Sequence, residues 1–202
     1  MMYRGNGPLT RRELCVMTLA ALLGLAAPAA ASTPAEDYVT GIADQVMRLA
    51  NNGKKGPALK SQFASLLNRY INLKGIADYA LGPYAKQLPA GRRGEFYDLV
   101  NNYAAALFNY YVDDFRGTKL DIISTSKQGK FTVIQSAITG SGGREQVKWR
   151  LVPSGGGFRV ADVNVKGVWL TISMKDRFSK VLKASKGNFD PLFAELREAN
   201  TW

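Results

Sequence analysis

The first half of the chain carries apolar residues at intervals of three and four, which is the spacing of amphipathic helices. One stripe runs from Tyr38 to Leu49, in a segment that begins at Pro34 and ends before Asn52-Gly53. Proline at the first position and glycine just past the end are typical helix boundaries. The pattern predicts helices over residues 34–51, from Pro57 through Tyr70, and from about Asn72 to Gly82-Pro83.

A longer segment, residues 92–117, has no internal glycine or proline after Gly94. Its apolar residues cover about 180° of a helix, whereas a surface helix needs an apolar arc of only about 100°. We therefore predict a central helix that packs against the sheet on one side and against other helices on the other. The arc consists of Phe96, Tyr97, Leu99, Val100, Tyr103, Ala104, Leu107, Phe108, Tyr110, Tyr111 and Phe115.

The second half changes to a period of two, which is typical of half-buried strands. Four runs, TKLDIISTS, KFTVIQSAIT, REQVKWRLV and FRVADVNVK, are separated by short glycine-containing connections, which favours consecutive antiparallel hairpins. Helices are predicted to follow over residues 170–185 and 189–199. The fold class is α+β: N-terminal helices, a four-stranded antiparallel sheet and closing C-terminal helices. The covered face of the sheet is predicted to carry Val147, Trp149, Leu151, Ala161, Val163 and Val165.

The N-terminus has the pattern of a secretory signal peptide. Arg11 and Arg12 precede an apolar run from Leu14 to about Ala27, and a small-residue cleavage site ends at Ala31. The run is shorter than the roughly 20 residues that span a bilayer. We expect residues 1–31 to be removed, by a Sec or twin-arginine export route, and residues 32–202 to form a single domain in the periplasm.

The composition excludes several classes of chemistry. The chain has no histidine and one cysteine, Cys15, which lies in the predicted signal peptide. A histidine-based triad, a thiolate nucleophile and a typical zinc site are therefore excluded, and we expect no cofactor or metal. The net charge of +11 suits anionic bilayers and acidic partners. Because an exported protein does not meet nucleic acid, we do not expect nucleic-acid binding.

Four tyrosines bear on whether a packed core or a cavity lies against the apolar side of the sheet. Tyr79, Tyr103, Tyr110 and Tyr111 carry hydroxyls that need partners when they are buried. Tyrosines around an apolar space favour a cavity with a solvated mouth over a sealed core.

An ordered set of residues recurs along most of the chain after the predicted signal peptide. Its members are Phe63, Leu66, Leu67, Leu73, Ile76, Ala77, Leu81, Gly82, Tyr84, Leu88, Pro89, Phe96, Trp149, Arg150, Leu151, Val160, Asp162, Val163, Val165 and Gly167. The order of these residues resembles the MlaC, or toluene-tolerance auxiliary, family of periplasmic phospholipid-binding proteins, and the similarity spans roughly residues 57–197.

The sequence departs from the family pattern at two places. One is Arg177-Phe178, where the family has R-x-x-F. The other is Trp169, where the family has a small serine. The second departure bears on the ligand, because one branch of the family is associated with hopanoids.

The resemblance implies a cone similar to the NTF2 and cystatin folds, with an apolar cavity between the sheet and the helices. It implies a non-enzymatic carrier, expected to be monomeric, for a phospholipid or a hopanoid-type lipid. Its implied partners are an inner-membrane ABC transporter complex and an outer-membrane lipoprotein–porin complex, with transient contact to the membrane surface. The expected lipid-binding residues are Leu67, Ile71, Ile76, Tyr79, Val100, Tyr103, Leu107, Tyr110, Tyr111, Val133, Val147, Trp149, Leu151, Val163, Val165 and Trp169.

Two other functions remain open from the sequence. Asp114 falls within the apolar arc of the central helix near several tyrosines, and a buried carboxylate of this kind can act as a general base in a small enzyme of the same fold. An adaptor protein of the cell envelope, without enzymatic activity, would instead have a filled core and no cavity.

Overall fold

The structure, a computed structural model, describes residues 31–140 and 142–201, without the side chain of residue 200. The predicted signal peptide therefore lies outside the described residues, apart from Ala31. The described residues contain six α-helices, none of them long and apolar enough to cross a membrane. The helices are α1 (Pro34–Asn51), α2 (Pro57–Tyr70), α3 (Leu73–Leu81), α4 (Arg93–Tyr111), α5 (Leu170–Ala184) and α6 (Asp190–Glu198).

The helix boundaries follow from local capping. The Thr33 hydroxyl accepts a hydrogen bond from the Glu36 N–H at 3.3 Å, and the Glu36 carboxylate accepts one from the Thr33 N–H at 2.8 Å. This reciprocal capping box satisfies two backbone donors at the start of α1. At the start of α3 the Asn72 side chain accepts from the Gly75 N–H in the same way. Short 3₁₀ turns follow α3 and α4 and precede α4, at Gly82–Lys86, Val112–Phe115 and Ala90–Arg92.

The strands form one antiparallel sheet in which each strand pairs with the next along the chain. The predicted α+β fold and the four hairpin strands are confirmed, and a fifth strand of two residues is added by a turn at Lys166 and Gly167. Both turn residues have positive φ, 52° and 85°, as a tight two-residue hairpin requires. The strands are β1 (Lys119–Gln128), β2 (Phe131–Gly140), β3 (Gly143–Ser154), β4 (Gly157–Val165) and β5 (Val168–Trp169).

A β-bulge changes which residues of β4 face the core. Asp162 pairs with Arg150, but the next pair is Val160 with Leu151, so Ala161 is the extra residue. Val160 is fully buried beside Leu151, and Ala161 is only half-buried. The prediction that Ala161 shares the covered face with Val163 and Val165 is therefore wrong, because strict alternation stops at the bulge.

The apolar core divides into two large clusters. The sheet cluster joins α1 to the covered face of the sheet, and its buried members are Ala35, Val39, Ile42, Leu66, Ile134, Val147, Trp149, Leu151 and Val160. The helical cluster joins α3, α4, α5 and α6, and its buried members include Leu81, Phe96, Leu99, Val100, Tyr103, Phe178, Leu182, Phe189, Leu192, Phe193 and Leu196. A small third cluster of Ala50, Leu59, Phe108 and Val112 joins α1, α2 and the end of α4.

The central helix α4 differs from its prediction in two respects. It ends at Tyr111 and is followed by a 3₁₀ turn, so it is shorter than residues 92–117. Its main packing partners are α2, α3 and α6, whereas α1 covers β1 and β2. The expected packing of this helix against the sheet is therefore wrong. Its wide apolar arc is explained by helices on several sides.

Candidate functional site

The covered face of the sheet contains a coherent subset of the expected lipid-binding residues. Val147, Trp149 and Leu151 are buried in the sheet cluster, with Val163 and Ile71 packed at its margin. The indole N–H of Trp149 donates to the Ser136 hydroxyl at 3.0 Å, and that hydroxyl donates to the Val147 carbonyl at 3.1 Å. The polar groups of the Trp149 and Ser136 side chains are therefore both hydrogen-bonded. The rest of the Trp149 ring presents an apolar surface toward α1.

A second subset lies in the helical cluster. Val100 and Tyr103 are buried there and Leu107 packs against its edge. Arg177 donates a hydrogen bond to the Tyr103 hydroxyl at 3.0 Å and also pairs with Glu195. Burial raises the pKa of Tyr103, so its hydroxyl stays neutral, and the hydrogen bond to Glu195 raises the pKa of Arg177. Sequence reasoning missed this ion pair, which covers one end of the helical cluster with charge.

Two expected residues belong to neither large cluster. Leu67, on α2, is buried, and Ile76, on α3, is half-buried. Within the part of the chain that the structure describes, neither side chain belongs to the sheet cluster or the helical cluster. Both α2 and α3 contact the central helix α4 and also β4, so they link the two apolar regions. We call the boundary between the two clusters at these helices the seam.

Four expected residues are exposed. Tyr110 is 67% exposed, and Tyr79, Tyr111 and Val165 are exposed as well. The rings of Tyr110 and Tyr111 contact each other edge to face, with centroids 4.8 Å apart. Both follow Phe108, which is the last buried residue of α4. The apolar stripe of this helix therefore continues past the part of the helix that is buried. These tyrosines therefore border solvent and do not belong to a buried lining.

Val133 and Trp169 lie on the opposite face of the sheet. Val133 pairs directly with Arg150, and Trp169 pairs with Asn164, so both side chains point away from Val147. The Arg150 guanidinium lies 3.6 Å from the centre of the Trp169 ring. Because Trp169 stacks on this face, it does not share the covered face with Val147, Trp149 and Leu151.

Strand β4 ties the sheet to the helices at two points. At one, the Asn72 N–H donates to the Val160 carbonyl at 2.8 Å, where α2 meets α3. At the other, the buried Asp162 carboxylate accepts from the Thr171 N–H at 3.1 Å and from its hydroxyl at 2.6 Å. Asp162 thus satisfies a backbone donor in the first turn of α5. The sequence offered Asp162 only as part of a family motif.

The carboxylate proposed for an enzyme is not buried. Asp114 lies in the exposed 3₁₀ turn that follows α4, not within an apolar arc. The expectation of a buried Asp114 beside tyrosines is therefore wrong, because the helix ends before reaching it.

Two of the surface cavities of the described residues lie between helices. One, of about 890 Å³, lies between α5 and α6, and the other, of about 360 Å³, lies between α2 and α4. Neither of these two cavities is lined by any of the expected lipid-binding residues.

Comparison with known proteins agrees with this architecture. The chain is similar to a phospholipid-binding protein from Ralstonia solanacearum whose structure was solved in complex with a phospholipid. The TM-score is 0.69 at 18% sequence identity, covering 82% of this chain and 96% of that one, which shows a shared fold. None of the curated proteins matches this sequence. The family model described as MlaC protein matches residues 41–198, and since this is most of the chain, the chain belongs to the MlaC family.

Proposed function

We propose that this protein is a lipid carrier that holds the acyl chains of a phospholipid, or of a related lipid, between the sheet cluster and the helical cluster. Membership of the MlaC family supports this proposal, as does the phospholipid bound by the Ralstonia solanacearum protein of the same fold. The carrier breaks no bond and needs no catalytic residue, which suits a chain without histidine.

The observation that carries the proposal is the division of the apolar core. A domain of this size normally buries its apolar residues in one contiguous core. Here the sheet cluster and the helical cluster are separate, and Leu67 and Ile76 are part of neither. Tyr79, which follows Ile76 by one helical turn on α3, is exposed. Acyl chains that enter along the seam gain contacts with both apolar clusters.

Simple energetics make such a carrier workable. Exposing acyl chains to water costs about 0.8 kcal/mol per methylene, so water is an effective barrier to free lipid. Moving a chain from a bilayer into an apolar seam exchanges one hydrocarbon environment for another. The net free-energy change is then small, and loading and release are both possible.

The proposal also covers the cellular location of the carrier and its partner complexes. We infer a periplasmic carrier that shuttles lipid between an inner-membrane ABC transporter complex and an outer-membrane lipoprotein–porin complex. The family resemblance supports these partners, and the net charge of +11 favours acidic partner surfaces. The headgroup would stay near solvent, on the side of the exposed Tyr79.

The test is lipid retention by purified protein. The full chain would be exported to the periplasm of a bacterial host and purified, and its phospholipid would be extracted and quantified alongside native mass spectrometry. We expect wild-type protein to carry lipid, and Val163→Arg to retain about ten-fold less, because Val163 lies at the half-buried margin of the sheet cluster. A half-buried site lets the arginine extend toward water, so the fold survives.

Ile123→Arg is the matched control. Ile123 is an exposed apolar residue of the sheet, and it lies on β1 at the opposite edge from β5. It should retain lipid as the wild type does. Equal retention by both variants would place the acyl chains elsewhere, and wild-type protein that neither carries nor takes up phospholipid would refute the carrier itself.

A further inference from the structure

The segment from β5 into α5 has an inverted pattern of burial. Val168, Leu170 and Ile172 are 51%, 48% and 41% exposed. Between them, Trp169 is half-buried and Thr171 is only 6% exposed. Apolar side chains therefore face water while the polar threonine is buried. Ordinary folding favours the reverse, so the pattern calls for an explanation.

Specific contacts hold the inverted pattern in place. The Asp162 carboxylate binds both the N–H and the hydroxyl of Thr171. Trp169 stacks on Arg150 at 3.6 Å, and Arg150 itself lies 3.5 Å from Asp162. Because the residues on either side of Leu170 are anchored inward, Val168 and Leu170 are fixed in an outward direction. The apolar surface is thus preorganised and not a consequence of a loose loop.

The hairpin tip carries a further exposed apolar residue. Val165 is also exposed and pairs directly with Val168 across the tight turn of Lys166 and Gly167, so the two valines share a face. We call Val165, Val168, Leu170 and Ile172 the junction patch. It extends from the tight turn through β5 into the first turn of α5.

Two lysines flank the junction patch. Residues 163–175 contain Lys166 and Lys175 and no acidic residue. The Lys175 ammonium lies 5.3 Å from the centre of the exposed Tyr79 ring. The largely exposed Lys166 ammonium lies 3.6 Å from the Glu145 carboxylate, and Asp176 follows Lys175. Exposed apolar residues with flanking lysines and an interfacial aromatic ring suit a lipid surface.

We infer that the junction patch contacts the surface of an anionic bilayer, with Val168 and Leu170 inserting among the acyl chains and the two lysines meeting lipid phosphates. The inference rests on the proposed function, since a carrier must meet a membrane or a lipid-bearing partner to load. An acidic protein would match the lysines, but it gives no reason to keep four aliphatic side chains exposed at a hairpin tip. The bilayer satisfies both features.

The experiment is co-sedimentation of the purified full chain with vesicles of phosphatidylcholine containing about 30% phosphatidylglycerol. We expect wild-type protein to bind, with weaker binding in about 0.5 M salt. Val168→Asp combined with Leu170→Asp should lower the bound fraction about five-fold or more, and the milder Val168→Thr with Leu170→Gln should lower it less. Ile123→Asp, at the other edge of the sheet, should bind as wild type. Circular dichroism melts confirm that each variant folds.

Several results would overturn the inference. One is wild-type protein that does not sediment with vesicles. Another is double variants that bind as strongly as the wild type, which would assign the membrane contact to basic residues elsewhere on the surface. A third is self-association of the wild type in sedimentation velocity that is lost in the double variant. The patch would then be an interface between two copies of the chain. Lipid retention is measured on the same samples, so a protein that carries lipid but ignores vesicles contradicts this inference and leaves the carrier function standing.

Discussion

The helical cluster and the sheet cluster are built from different side chains. In the helical cluster, the Phe96 ring contacts Phe178 and Phe193 with centroids about 6 Å apart, and the Arg92 guanidinium covers Phe193 at 4.2 Å. The buried members of the sheet cluster are aliphatic apart from Trp149, and its other aromatic rings, those of Tyr38, Tyr70 and Phe158, lie at a margin that is only partly buried. Interlocked aromatic rings fix a geometry, whereas an aliphatic surface with an open margin can accept hydrocarbon. We interpret the first as the scaffold and the second as the wall that meets lipid.

The strongest test of this comparison removes a ring from the scaffold. Phe96 is fully buried, so Phe96→Ala leaves a cavity and loses three aromatic contacts. We expect a loss of about 3–5 kcal/mol in the free energy of unfolding, measured by urea denaturation. The protein that remains folded should still retain lipid. A loss below about 1 kcal/mol would show that the helical cluster is not a rigid scaffold.

Removal of bound lipid should affect the sheet cluster more than the helical cluster. Stripping bound lipid lowers the free energy of unfolding by about 2.7 kcal/mol when the free lipid had been present at about 100 times its Kd. Hydrogen exchange should show the loss of protection in β3 and β4, which carry Val147 and Val163, more than in α4. Equal loss of protection in both regions would contradict the assignment of the sheet cluster as the wall that meets lipid.

A smaller effect is expected inside the sheet cluster itself. Ser136→Ala removes the acceptor of the buried Trp149 N–H, and an unpaired buried donor costs about 1–3 kcal/mol. Urea denaturation measures the change, and a shift in tryptophan fluorescence should accompany it. Ser173→Ala, at an exposed position of α5, is the control and should be close to neutral. A neutral Ser136→Ala would mean that Trp149 finds another acceptor.

The sequence predicted the helices and the meander well because their signals are local. Pro34 and Pro57 begin helices where they are found, and the hairpin connections fall at the predicted glycines. The candidate site was harder. Val147, Trp149, Leu151 and Val163 were placed on one face correctly, because alternation holds along β3 and on either side of the bulge.

The remaining site residues depended on contacts that periodicity does not encode. Ala161 occupies a bulge, and bulges break alternation without a composition signal of their own. Trp169 turned to the opposite face because the two-residue turn at Lys166 and Gly167 created a strand that no pattern of this length can predict. Tyr110 and Tyr111 continue an apolar stripe beyond the end of their neighbours, and only the tertiary arrangement shows where those neighbours stop.

The position of α1 in the chain has a consequence for how the molecule is assembled. Helix α1 is synthesised before every strand, yet it packs against the sheet, whose first strand begins at Lys119. Its apolar stripe therefore lacks its partner strands until about seventy further residues or more have been added. The strands pair only with their neighbours in sequence, so the sheet can form quickly once it is complete. The sheet wall of the proposed lipid seam is thus covered by α1, the first element of the domain to be synthesised.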